Sequence, residues 1–124
     1  MRWIIAGVLA AGIVSARADQ PLEARLLVQV TFVSGLQHFQ GKKLFPRLNV
    51  GDDLTLVREP DNTADSNAIR VEWRGRPLGY IPQPVNPALA RQLDFGNRLR
   101  ARIIRLSRHR DPDRRVELEI YLPL

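Results

Sequence analysis

Apolar residues recur at every second position through most of this chain, and that period dictates what it can fold into. Leu26, Val28, Val30 and Phe32 share one parity, as do Leu54 and Leu56 further on. Ile69, Val71 and Trp73 oppose Arg70, Glu72 and Arg74, and Val116, Leu118, Ile120 and Leu122 alternate with Glu117, Glu119 and Tyr121. Successive side chains of an extended backbone point to opposite faces, so these runs read as strands with one buried side. A glycine turn at Arg74-Gly75-Arg76 leads into Leu78–Ile81, which predicts a hairpin.

One segment breaks the period. Asn86 suits a helix N-cap, Pro87 the first helical position, Leu89 and Leu93 share a face, and Gly96 stands where a helix would stop. The pattern predicts a short helix over about residues 86–95. In the strand that follows, Leu99, Ala101 and Ile103 have one parity, Ile104 and Leu106 the other. A bulge near Ile103 or Ile104 reconciles them. The fold class is therefore all-β: a small, partly open barrel of about six strands, with one helix inserted before the last pair.

The N-terminus has a different character. Arg2 supplies a positive charge, Ile4–Val14 is an apolar and small-residue run, and Ala16-Arg17-Ala18 ends it with small residues at the positions a signal peptidase reads. The run is too short for a membrane span, which needs roughly 20 apolar residues. Residues 1–18 read as a cleaved signal peptide, 19–25 as a short linker and 26–124 as one domain, with no stable membrane anchor after cleavage and a periplasmic or secreted destination. The whole chain carries +6, from 19 basic and 13 acidic residues; losing Arg2 and Arg17 leaves 17 against 13, a net +4. Such an excess suits polyanionic partners. The absence of cysteine excludes disulfides, thiol catalysis and lipoprotein anchoring.

Three patches carry the chemistry. The first is Val33-Ser34-Gly35-Leu36-Gln37-His38-Phe39-Gln40-Gly41, a strand ending in a glycine-bracketed aromatic turn. The second is Leu56-Val57-Arg58-Glu59-Pro60-Asp61-Asn62-Thr63-Ala64-Asp65-Ser66-Asn67-Ala68-Ile69-Arg70-Val71. The third is Leu78-Gly79-Tyr80-Ile81-Pro82. On residue chemistry alone, the short side chains of Asn62, Asp65 and Asn67 fit a turn closed by side-chain-to-backbone hydrogen bonds, with Pro60 fixing its entry. A calcium loop is a poor fit, because the central glycine and closing glutamate are missing.

Together the patches resemble the HIRAN domain family, over about Val30 to Leu106. The resemblance implies an OB-like barrel and a non-enzymatic module that binds single-stranded DNA, in some members at its 3′ end. It implies a nucleic-acid site at Gln37, His38, Phe39, Arg58, Asn62, Asp65 and Tyr80, with Asp65 accepting the terminal sugar hydroxyl. This sequence departs from the DNA-binding members where they stack bases between tyrosines. Those places hold His38 and Ala64, and the arginine beside the first aromatic is Gln37. An exported protein using the same barrel to bind a protein, peptide or glycan of the envelope is the alternative reading.

No cofactor or metal site is expected. The two histidines, His38 and His109, lie in unrelated segments and neither accompanies a nucleophile motif. Arg98, Arg100 and Arg102 share a face, continued by Arg105, Arg108, Arg110, Arg114 and Arg115. In this ladder, cross-strand pairing of Arg100 or Arg102 with Glu117 and Glu119 is expected rather than a phosphate track. Expressed with its leader in a bacterium, the chain should be recovered with Asp19 as its first residue. N-terminal sequencing that finds residues 1–18 retained would exclude the cleaved-leader reading.

Overall fold

The structure, a computed structural model, describes residues 24–124; the expected leader and most of the expected linker lie outside the described residues. Six strands form one antiparallel sheet in the order β1-β6-β5-β2-β3-β4. They are β1 (Arg25–Phe32), β2 (Asp53–Arg58), β3 (Ile69–Trp73), β4 (Arg76–Tyr80), β5 (Arg100–Leu106) and β6 (Val116–Pro123). Between β1 and β2 the chain makes a 3-10 turn at Leu36–His38, the single-turn helix α1 (Gly41–Leu44) and a second 3-10 turn at Phe45–Arg47. The helix α2 (Asn86–Asp94) precedes β5. The fold is all-β and OB-like, as expected, and its barrel is only partly closed.

Closure depends on one bridge. Just beyond β1, the Ser34 N–H donates to the Tyr80 carbonyl at 2.8 Å, and the Tyr80 N–H returns to the Ser34 carbonyl at 2.9 Å. The two edge strands meet there and nowhere along the rest of β1. Gly79 makes the approach possible, since a Cβ at that position would stand 2.3 Å from the Ser34 carbonyl oxygen. Inside, Val33, Ile69, Val71, Leu78, Ile103, Leu118 and Ile120 are buried, and α2 adds Leu89 and Ala90 to the same core.

The alternation holds in β3 and β6, and the register of β5 on β6 slips between Ile103 and Arg105, where the change of parity requires a bulge. It fails in β1. Leu26 and Leu27 are 55% and 57% exposed, Val30 is also exposed, and only Val28 and Phe32 are half-buried. The cause is a second bulge, between Leu27 and Gln29, which breaks the parity of an edge strand. Tyr121, expected to face outward, is buried beneath two guanidinium groups, Arg25 at 5.1 Å and Arg102 at 5.9 Å from its ring centre.

Asn86 is not the N-cap of α2. Val85 occupies the cap position, and the Asn86 side chain turns away from the helix, as described below. In the arginine ladder, Arg102 pairs with Glu119, which Arg25 also approaches at 3.7 Å. Arg100 stands opposite Tyr121 instead.

Gly79→Ala should force Ser34 and Tyr80 apart. The strain of inserting an atom into so close a contact is expected to cost about 1–3 kcal/mol, read as a lowered midpoint of urea unfolding with an unchanged slope.

Candidate functional site

The loop between β2 and β3 replaces strand pairing with its own short side chains. The Asn62 Oδ1 accepts the N–H groups of Ala64 and Asp65, at 2.9 and 3.1 Å. The Asp65 Oδ1 accepts the Asn67 N–H at 2.9 Å, and the Ala68 N–H reaches the Asp65 carbonyl at 3.1 Å. The Glu59 N–H closes the base of the loop on the Ala68 carbonyl at 3.0 Å. These are the side-chain-stabilised turns that the Asn and Asp spacing predicts.

Two further contacts tie the loop to the barrel. The Asn86 Nδ2 donates to the Asp65 Oδ2 at 2.7 Å, from a side chain only 2% exposed. Both carboxylate oxygens of Asp65 are thus held by fixed donors, and each keeps acceptor capacity for a further one. Glu59 is the second anchor. Its Oε1 accepts the Tyr80 hydroxyl at 2.7 Å and the Asn62 Nδ2 at 3.0 Å, while Arg70 pairs with its Oε2. Arg70 also donates to Glu72 at 2.8 Å.

Burial pushes the Glu59 carboxyl up. The hydrogen bonds from Tyr80 and Asn62, with the charge and hydrogen bond of Arg70, outweigh it and hold the group below its ordinary value. Tyr80 is raised, by burial first and then by donating to a carboxylate.

The loop, the aromatic turn and the end of β4 enclose a cavity of about 320 Å³ whose lining includes Phe39, Asn62, Ala64, Asp65, Tyr80 and Asn86. The Phe39 and Tyr80 rings stand 5.2 Å apart between centres, tilted by 54°. Phe39 is 41% exposed, so a large aromatic ring lies open at the cavity mouth. A flat ring, a carboxylate and a raised phenol therefore share one cleft of a size suited to a nucleoside or a sugar. A cavity of about 340 Å³ lies between β2 and β5, lined by residues such as Thr55, Leu99 and Arg100. No aromatic ring lines it.

Of the residues expected at a site, Phe39, Asn62, Asp65 and Tyr80 come together here. Gln37 and His38 are exposed on the adjoining 3-10 turn and do not line the cavity. Arg58 points elsewhere. It donates to the Asp94 carboxylate at 3.1 and 3.2 Å and to the Ala68 carbonyl at 3.2 Å, bracing β2 against the end of α2. Glu59 and Arg70 were not singled out from the sequence, and Asn86 was expected only as a helix N-cap. Glu59 sits inside the Arg58–Val71 motif, but its partners come from three separate segments, and no local spacing signals that. Among the described residues no group of His, Cys, Asp or Glu side chains is placed to hold a metal ion.

Comparison with known proteins bears on the family and the fold. The family profile of the HIRAN domain matches residues 26–124. The crystal structure of a protein from Lactobacillus plantarum is similar, with a TM-score of 0.71 and 27% identity over 82% of this chain and 98% of that one. The HIRAN domain of human HLTF is similar in fold, with a TM-score of 0.62 and 22% identity over 79% of this chain and 78% of that one. No curated protein matches the sequence.

The depressed Glu59 carboxyl has a consequence for acid stability. The unfolded chain, with an ordinary value near 4.5, takes up the proton before the folded one does. The stabilisation is therefore complete above that value and is lost as pH falls through the lower folded value. Urea midpoints measured across the acid range should fall more steeply for the native sequence than for Glu59→Gln; parallel curves would contradict the assignment.

Proposed function

The chain belongs to the HIRAN domain family, and from that premise we propose that it is a nucleic-acid-binding module whose cavity receives the 3′ end of a single strand. The observation that carries this reading is the Asp65 carboxylate, oriented by two fixed donors beside the exposed ring of Phe39. A carboxylate held this way is an acceptor without rotational freedom, suited to the hydroxyl of a terminal sugar. Phe39 and Tyr80 supply the apolar face for the last base. Tyr80 itself is committed to Glu59, so it contributes a ring rather than a free hydroxyl. Asn62 and Arg58 build the loop and brace it. Gln37 and His38 flank the entrance, where an imidazole can cover a second base.

In this reading the leader carries the module out of the cytoplasm, where its strand is extracellular or incoming DNA. Ala64 weakens the grip relative to a member with an aromatic there, by about 1–3 kcal/mol for the lost stacking partner.

Fluorescence anisotropy with short oligonucleotides tests the reading directly. The mature chain should bind a 3′-hydroxyl strand more tightly than the same strand ending in 3′-phosphate, and Asp65→Asn should erase the difference while far-UV circular dichroism stays native. Ala64→Tyr should tighten binding by about 1–3 kcal/mol. Equal affinity for both ends would refute end capture, and no binding at all would refute the nucleic-acid reading.

A further inference from the structure

Of the seventeen lysines and arginines among the described residues, four are in ion pairs and thirteen are not. Arg25, Arg58, Arg70 and Arg102 are in ion pairs with Glu119, Asp94, Glu59 and Glu72, all carried by the sheet, its connecting loop or α2. Eight of the unpaired ones lie on α2, on β5 and the segment before it, and in the β5–β6 turn; the other five are Lys42, Lys43, Arg47, Arg74 and Arg76. These five converge on one end of the molecule, the tip of the β3–β4 hairpin and the segment docked against it.

That convergence is built into the fold. Arg47 and Arg74 both lean on the Trp73 ring, at 5.4 and 4.6 Å from its centre, and Trp73 is in turn fixed by an indole hydrogen bond to Asp52 at 3.1 Å. Arg76 donates to the Gln40 side chain at 2.9 Å, and the Gln40 N–H donates to the Pro77 carbonyl at 3.2 Å. The chain from Phe39 to Arg47 is therefore fastened along β4. Phe39 stands at the cavity, and Arg47 stands at the hairpin tip. β4 makes the same journey from Arg76 to Tyr80, four residues or about 13 Å at the usual rise of a strand.

We propose that Lys42, Lys43, Arg47, Arg74 and Arg76 form a phosphate-binding rim that holds the backbone of the strand whose 3′ end occupies the cavity. The inference rests on the end-capture reading and extends it: the strand leaves the cavity past Phe39 and follows β4 to the hairpin tip. Arginines braced on a ring present their N–H edges outward with little entropy left to lose, which suits bidentate phosphate contacts. Lys42 and Lys43, both exposed, add point charges on the same path. At about 3.4 Å per stacked nucleotide the path takes about four nucleotides, the lower end of the roughly 4–16 that OB folds occupy.

Two measurements test it. The salt dependence of affinity should be steeper for a strand of about six nucleotides than for one of about two, which is too short to reach the rim. Lys42→Gln with Lys43→Gln should lower the slope for the longer strand by about 1.4, at roughly 0.7 per lost phosphate contact. The 3′-hydroxyl preference should stay intact. Arg98→Gln with Arg100→Gln removes the same charge from the sheet face and should leave the slope unchanged. Because Lys42 and Lys43 are the chain's only lysines, amine acetylation followed by peptide mass spectrometry reads this rim alone, and bound strand should protect both.

The outcomes separate the two readings. An unchanged slope in the lysine variant, with end preference retained, overturns the rim and leaves end capture standing. A reduced slope without any end preference does the reverse. Absence of DNA binding, with lysine-dependent binding to phosphatidylglycerol vesicles, overturns both and assigns the rim to a membrane surface.

Discussion

Two hydrogen bonds between Ser34 and Tyr80 hold the edges of the sheet together, and the placement of the cavity depends on them. They bring the end of β1 against the end of β4, so that the aromatic turn leaving β1 must pass over Tyr80. Gly79 permits the contact by having no side chain to meet the Ser34 carbonyl. Gly35 then turns the backbone through a left-handed conformation, at φ 74°, with its N–H held by the Asp113 side chain at 2.8 Å. Phe39 arrives beside Tyr80 as a result. The glycines of the first and third motif patches thus serve one event, the meeting of two edge strands at a single bridge.

The second determinant is the saturation of the polar groups around the cavity. Among the described residues every buried side-chain nitrogen and oxygen has a partner. A buried amide left unpaired costs about 1–3 kcal/mol, so the Asn86–Asp65 bond is part of the stability of the fold as well as of the site. Asp65 therefore has two duties: it fastens the loop to α2, and it presents a carboxylate to the cavity. The same duality applies to Tyr80, whose hydroxyl is spent on Glu59 while its ring faces the cleft. A site built this way is already organised before a ligand enters.

The strand pattern, the helix at 86–94 and the bulge in β5 were legible because each is a local periodicity with a local exception. What was not legible came from partners distant in sequence. Asn86 has every local mark of an N-cap, yet a carboxylate twenty-one residues away competes for its amide and wins. Tyr121 reads as outward-facing by parity, and only the two arginines over its ring explain its burial. The inward face of β1 was misread because a bulge in an edge strand leaves no mark in composition. Asp65, Phe39 and Tyr80 were legible through the family motif, whereas Glu59, lying inside the same motif, acquires its role only when β4 and β3 deliver Tyr80 and Arg70.

Charge and stacking then divide the work at the site. Carboxylates neutralise Arg25, Arg58, Arg70 and Arg102, whereas Lys42, Lys43, Arg47, Arg74 and Arg76, at the hairpin tip and the segment beside it, are left without an ion pair among the described residues. The residue before Asp65 is Ala64, which offers the cavity no aromatic face. Stacking is short-ranged and insensitive to salt, whereas phosphate contacts act over a Debye length, about 8 Å at physiological ionic strength. Under the proposed function, a module with one fewer stacking face and this cationic rim would draw more of its hold from electrostatics and less from the terminal base. Its discrimination among bases would fall accordingly, and its contact with a strand would be one that salt can release.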